Sequence, residues 1–227
     1  MNPDDYQQYA SSIDFFSDPS FNEGLGRYIS LITGSLLPAS KICDVGGGTG
    51  YLLNLILKQR KDLVATLVEP SKPMFFKAES SLASSQVKLI NATLQDALPK
   101  LEHQEAFLFC RSLYAFSGNI NDYNSLFSQL TDKISAFGQL FIYEISGFYD
   151  IALYKKNLEK KLSNKKEKFK EHWPVLELAL RKFNEGVENG EFTLFSREKI
   201  ENIAREAGFD LLYYSHPDLY CFRKRYS

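Results

Sequence analysis

The sequence predicts an α/β fold, a doubly wound and largely parallel sheet closed by an antiparallel hairpin. Three observations carry this. Short β-type runs alternate with helical patterns through the first two thirds of the chain, the sign of βαβ units. The first such run, Lys41 to Val45, ends in Gly46-Gly47-Gly48-Thr49-Gly50 and passes into apolar pairs at helical spacing, Leu52 with Ile56 and Leu53 with Leu57. Near the C-terminus, Phe209 to Tyr214 and Leu219 to Arg223 flank the turn Ser215-His216-Pro217-Asp218.

The elements follow in order. After strand, glycine turn and helix come a strand over Leu63 to Val68, a helix over Lys72 to Leu82, and strands over Val87 to Ile90 and Ala106 to Cys110. A helix over Tyr123 to Ile134 precedes the fifth strand, Gln139 to Ile145. Residues 148–190 break the rhythm: Leu158 with Leu162, Phe169 with Trp173 and Leu176 with Leu180 lie four apart, which predicts a helical insertion. Ser196 is a candidate N-cap for a helix ending at Ala207-Gly208. Against a typical domain of about 150 residues, 227 residues predict a single domain over 1–227, with an N-terminal lid at 1–39 and the insertion at 148–190.

Composition narrows the function. A hydrophobic share of 44% supports a buried core, and 27 basic residues against 28 acidic ones leave no net field for tracking nucleic acid. Cys43, Cys110 and Cys221 are an odd number without metal or disulfide spacing, which predicts strand-packing thiols and a cytoplasmic setting. No signal peptide or membrane span is read from the sequence, and no histidine or carboxylate grouping has metal spacing.

The glycine turn lets the backbone approach a ligand closely, and the helix N-terminus behind it favours an anionic group, carboxylate or phosphate. Counting from Gly46 and Gly48 puts Tyr51 where a dinucleotide fingerprint needs its third glycine, which weakens a nicotinamide reading; no P-loop is present. The run instead reads Asp-x-Gly-x-Gly-x-Gly from Asp44 to Gly50, and Glu69 closes the second strand in Val68-Glu69-Pro70, where an acid can accept both hydroxyls of a ribose.

On these residues, with Met74 and Ala78 in the next helix and Ala207-Gly208-Phe209 before the hairpin, the sequence resembles the class I S-adenosylmethionine-dependent methyltransferases. The resemblance covers roughly residues 40 to 147 and 192 to 224. It implies a Rossmann-like seven-stranded sheet of order 3-2-1-4-5-7-6 with strand seven antiparallel, and S-adenosylmethionine as cofactor. It also implies that Asp44 holds the methionine ammonium, that Gly46, Gly47 and Gly48 line the methionyl part, and that Glu69 with Pro70 takes the ribose. The backbone after strand four, at Arg111, would meet the methionyl group. Where many members carry an Asp near the adenine, this chain has Thr93 and Leu94, with Asp96 three residues on.

Methyl transfer is an in-line displacement that an enzyme can run largely by placing the nucleophile. Ligands of open sheets lie beyond the carboxyl ends of the strands, which selects Arg111, Ser112, Tyr114, Glu144 and Ser146. Arg111 either pairs with Glu144 or binds an acidic substrate group; Tyr114 either packs or orients substrate. Glu144 and, if the insertion folds over the pocket, His172 are candidate general bases; the alternative for His172 is a solvent-facing helix position. The motif with which amino-methylating nucleic-acid enzymes follow strand four is replaced by Cys110-Arg111-Ser112-Leu113-Tyr114. Eight lysines between Lys155 and Lys170 form either a solvated helix face or a surface for an anionic partner. Tyr6, Tyr9, Phe15, Phe16 and Phe21 either cover the donor or pack.

The reading is a methyltransferase acting on a small-molecule acceptor, without nucleic-acid or membrane partners. The alternatives are a catalytically silent donor-binding or interaction protein and, after it, a protein or RNA methyltransferase. The acceptor atom and oligomeric state carry no signature.

Overall fold

The computed structural model describes residues 3–83, 85–115, 120–216 and 218–226, with the side chains of residues 3–8, 11, 115, 120 and 121 outside that description. Tyr6 as a lid side chain and Pro217 as a turn former therefore lie outside the described residues.

Strands β1 (Lys41–Val45), β2 (Val64–Val68), β3 (Val87–Ile90), β4 (Gln104–Cys110), β5 (Ile134–Tyr143), β6 (Phe209–Ser215) and β7 (Leu219–Lys224) form one sheet of order β3-β2-β1-β4-β5-β7-β6. The first five pair in parallel, and β7 runs antiparallel to both β5 and β6, the order that the resemblance implies. Helices cover both faces, so the central strands read as apolar runs and not as alternations. The two-residue period of a strand sends Cys43, Val45, Phe107, Phe109, Leu140 and Ile142 to one face. There they meet α6 (Ile120–Lys133) and α9 (Arg197–Glu206). Ile42, Ala106, Leu108 and Phe141 go to the other, against α2 (Glu23–Ser35) and α3 (Tyr51–Gln59). Between β2 and β3 runs α4 (Lys72–Ser81), and after β3 comes the short α5 (Leu94–Ala97).

A third apolar cluster stands beyond the carboxyl ends of the strands. There α1 (Pro3–Phe16) meets α7 (Ile151–Lys161) and α8 (Lys166–Glu188), with Phe16, Phe21, Leu158, Leu162, Phe169, Trp173, Leu176 and Leu180 buried together. The insertion is helical, as its four-residue spacing predicts. Three of its lysines are engaged in ion pairs, Lys161 with Glu23, Lys165 with Asp18 and Lys170 with Glu167, and Lys155 lies 5.4 Å from the Trp173 ring centroid.

Several boundaries differ from the sequence reading. Residues 1–39 carry two helices, α1 and α2. The second is capped by the Asn22 side chain, which accepts from the Leu25 N–H at 3.1 Å. The fifth strand starts at Ile134 and not Gln139, because an irregularity in the β4–β5 register, with Phe137 at φ +63°, separates a single pairing at Ile134 from the regular ladder at Gln139. It ends at Tyr143 because the Glu144 N–H turns to the Asp218 carbonyl. Ser196 caps α9 by accepting from the Lys199 N–H, and Gly208 follows at φ +89°.

Tyr28 ties α2 to the sheet. Its hydroxyl is fully buried and shares one proton between the carbonyls of Phe141 (2.9 Å) and Phe109 (3.1 Å). Tyr28→Phe is expected to lower unfolding free energy by about 1–2 kcal/mol with the fold retained, measured by urea denaturation; an unchanged midpoint would refute this role for the hydroxyl.

Candidate functional site

A cavity of about 530 Å³, the size of a small-molecule site, opens beyond the carboxyl ends of β1, β2 and β4 under the helices α1 and α8. Asp44 to Thr49, Glu69 to Ser71, and Thr93 to Gln95 line it. Arg111, Ser112 and Tyr114 after β4, with Tyr149, Tyr154, Phe183 and Phe192, line it too, with Ser112 against Gly46.

The glycine turn is shaped by approach distances. Gly46 sits at φ +65°, and a Cβ there would stand 2.7 Å from the Ser112 Cβ, so only glycine lets β1 and the post-β4 loop close on each other. Gly48, at φ +56°, has open space where its Cβ would be. Beside it, Asp44 is buried, and its Oδ2 has no hydrogen-bond partner among the described residues. Burial, with the neighbouring Glu69 charge, pushes its carboxyl up to about 7. An acid so placed is the complement of a cationic ligand group, which would return the lost solvation.

Glu69 is held differently. Its Oε2 accepts the Gly48 N–H at 2.9 Å and its Oε1 the Ser71 N–H at 2.7 Å, so the carboxylate is fixed at the cavity wall with lone pairs remaining for hydroxyl donors. Burial raises its pKa despite those two N–H groups. Thr93 caps α5, its hydroxyl accepting from the Asp96 N–H and donating to the Asp96 carboxylate at 2.7 Å. Thr93, Leu94 and Pro70 line the cavity, while Asp96 does not.

Both candidate bases require correction. Glu144 is buried and absent from the cavity lining; its Oε2 accepts the N–H groups of Leu113 (2.6 Å) and Tyr114 (3.2 Å), and its Oε1 that of Ile145 (3.0 Å). Burial pushes it up to about 7 against those three bonds, and it acts as the fastener of the post-β4 loop. His172 is also outside the lining. Its Nδ1 lies 3.2 Å from the Ser12 hydroxyl and its ring stacks on Phe15 at 4.8 Å, which fixes α1 to α8. The insertion does fold over the pocket, but it turns this histidine into the α1–α8 seam and not to solvent.

Arg111 makes no ion pair with Glu144 or any other described carboxylate within 4.0 Å. Its backbone sits at φ +53°, strained for a side-chain-bearing residue, with its N–H on the Tyr143 carbonyl at 2.7 Å. Tyr114 packs edge-on against Phe183 and Phe192 and lines the cavity as well. Ser112 donates to the Val45 carbonyl, Ser146 bonds Asp218, and Cys110, whose thiol burial pushes up to about 12, lines the cavity. Residues that sequence reasoning missed, Tyr149, Tyr154, Phe183 and Phe192, come from the insertion and the segment after it; only its aromatic content hinted at them.

Helix α1 is anchored to the turn itself. Asp14 of α1 accepts from the Thr49 hydroxyl at 2.5 Å and pairs with Lys77 of α4 at 3.0 Å. Tyr9, Ile13 and Phe16 of the same helix face the cavity.

Asp44 and Glu144 bind protons more tightly folded than unfolded, so their contribution is full below their unfolded pKa near 4 and is lost as pH rises through about 7. The ligand-free protein is therefore expected to lose about 2–5 kcal/mol of stability between pH 5 and 8, with Asp44→Asn flattening the decline; chemical denaturation across that range measures it. Glu144→Ala leaves one buried and two part-buried N–H groups without their acceptor and is expected to cost about 2–4 kcal/mol, read as a lowered denaturation midpoint.

No protein-family model matches the chain, and no curated protein matches it by sequence. Solved structures do. The magnesium protoporphyrin IX methyltransferase of Synechocystis PCC 6803, with bound S-adenosylhomocysteine, superposes with a TM-score of 0.59 at 13% identity, covering 91% of this chain and 84% of that one. An O-methyltransferase family protein from Burkholderia thailandensis gives 0.59 at 16% identity, covering 93% and 59%. The pyocyanin biosynthetic protein PhzM gives 0.57 at 14%, covering 87% and 54%. The chain thus spans little more than half the length of the last two. The sheet order, with β7 inserted antiparallel between β5 and β6, and these superpositions give the chain the fold of the class I S-adenosylmethionine-dependent methyltransferases.

Proposed function

We propose that the protein transfers a methyl group from S-adenosylmethionine to a small-molecule acceptor. The observation that carries this is Asp44: a buried carboxylate with an unpartnered oxygen, beside a glycine turn with room at Gly48, calls for a ligand that brings a cation. The residues fit that donor along its length. Asp44 would receive its ammonium, Gly46 and Gly48 its methionyl chain, Glu69 its ribose hydroxyls, and Pro70, Thr93 and Leu94 its base. The fold neighbours with bound S-adenosylhomocysteine support the same reading.

The donor supplies a methyl group on a sulfonium, and the chain supplies placement. The aromatic wall of Tyr114, Phe183 and Phe192 confines an acceptor against the strand ends, and α1 with α8 shields it from water. With Glu144 engaged by the post-β4 loop and His172 by α1, proton removal is not assigned to either. That same observation favours the second reading, a donor-binding protein without turnover.

Calorimetric titration with S-adenosylhomocysteine, S-adenosylmethionine and NADH separates the readings. The first two are expected to bind and NADH not; failure of the first two would overturn the donor assignment. Methyl transfer to a small-molecule panel supports catalysis, and tight binding with no product supports the silent protein. Binding at pH 6 is expected to release a proton, since an ammonium on Asp44 draws its carboxyl down from about 7. Comparing heats in buffers of different ionisation enthalpy reads that release. Glu69→Ala is expected to weaken donor binding by about 1–3 kcal/mol.

A further inference from the structure

The cavity lining carries charges of both signs. Asp44 and Glu69 are its acids beside the glycine turn, and Arg111 is the one cationic side chain among the described residues of the lining. Of its five guanidinium N–H groups, one on Nη2 reaches the Tyr143 hydroxyl at 3.2 Å. Its Nε and Nη1 have no hydrogen-bond partner among the described residues and are not sealed off, and the residue lines the cavity. The guanidinium lies over the Tyr143 ring at 5.2 Å, and the charge of the buried Glu144 acts on it from beyond ion-pair distance, so no described carboxylate meets it directly.

A half-buried guanidinium in an apolar site costs desolvation free energy unless an anion meets it. Its planar fork matches a carboxylate with two parallel hydrogen bonds. A single cation suits a monoanion and not a phosphate dianion. The surroundings specify the remainder of the ligand, because Tyr114, Phe183 and Phe192 pack edge-on or stacked within 6 Å of one another, and Tyr149 joins Phe183 edge-on at 5.5 Å. Such a wall takes a flat ring.

We propose that the acceptor is a small aromatic carboxylic acid whose carboxylate is held by the free edge of the Arg111 guanidinium, with its ring against Tyr114, Phe183 and Phe192. This rests on the methyltransferase reading and narrows its acceptor to a chemical class. Arg111 acts as a specificity-determining residue, and its strained backbone at φ +53° is the feature that aims it into the cavity.

The test uses matched acid and amide probes, benzoate with benzamide, 4-hydroxybenzoate with 4-hydroxybenzamide, and cinnamate with cinnamamide. Each is titrated into the wild-type protein saturated with S-adenosylhomocysteine. At least one acid is expected to bind, about tenfold or more tighter than its amide. Arg111→Met is expected to weaken that acid about thirtyfold or more while weakening S-adenosylhomocysteine far less, and Arg111→Lys to keep part of the preference. Amides binding as well as acids, or no acid binding at all, would overturn the proposal. So would an Arg111→Met protein that loses the two ligands equally, which would put the guanidinium on the donor's own carboxylate. The wild-type comparison needs no variant to fold. If S-adenosylhomocysteine fails to bind, the methyltransferase reading falls, and the same probes titrated alone still decide whether Arg111 selects acids.

Discussion

Burying the Asp44 carboxylate at the end of the central strand costs free energy that no described group of the chain returns, since its Oδ2 has no partner and Glu69 adds a second negative charge beside it. Much of the surrounding architecture keeps that acid usable. β1 lies between β2 and β4 in the middle of the sheet, so Asp44 emerges where loops from both sides converge. Gly46 lets the post-β4 loop come within side-chain contact, and Gly48 leaves the space in front of the acid open. A functional site of this kind stores a stability cost that a bound cation would offset.

The loop after β4 is organised by a different acid. Glu144 gathers three backbone N–H groups and so shapes the loop that carries Arg111, Ser112 and Tyr114. The two carboxylates have similarly raised pKa values for the same first reason, burial, yet one is saturated with hydrogen bonds and the other has an oxygen with none. The distinction lies in their partners, which no sequence pattern displays. Above both, Asp14 and the Ser12–His172 contact hold α1 to the glycine turn and to α8. Helix α1 thus belongs to the same hydrogen-bonded unit as the glycine turn.

The sheet was legible because parallel strands covered on both faces leave unmistakable apolar runs, and the glycine turn because its spacing is set by backbone approach. The N-terminal helices were less so. α2 buries Leu25, Tyr28, Ile29 and Ile32, a helical period plain in retrospect but interrupted by Gly24, Gly26 and Gly34. The start of β5 escaped because a left-handed Phe137 lies where glycine would have signalled it. The lining residues of the glycine turn and of Glu69–Ser71 could be named from a local run of sequence. The aromatic part of the lining could not, since Tyr149, Tyr154, Phe183 and Phe192 come from the insertion and the stretch after it and meet β4 only in three dimensions. Glu144 and His172 illustrate the same limit: residue type suggested bases, and packing made them fasteners.

The most direct test of this account is a crystal structure of the protein with S-adenosylhomocysteine. The account requires the ligand's ammonium within hydrogen-bond distance of the Asp44 carboxylate, its ribose hydroxyls on Glu69, and the Nε and Nη1 edge of Arg111 still free. A ligand bound in the reverse sense, or one that leaves Asp44 unpartnered, would contradict it.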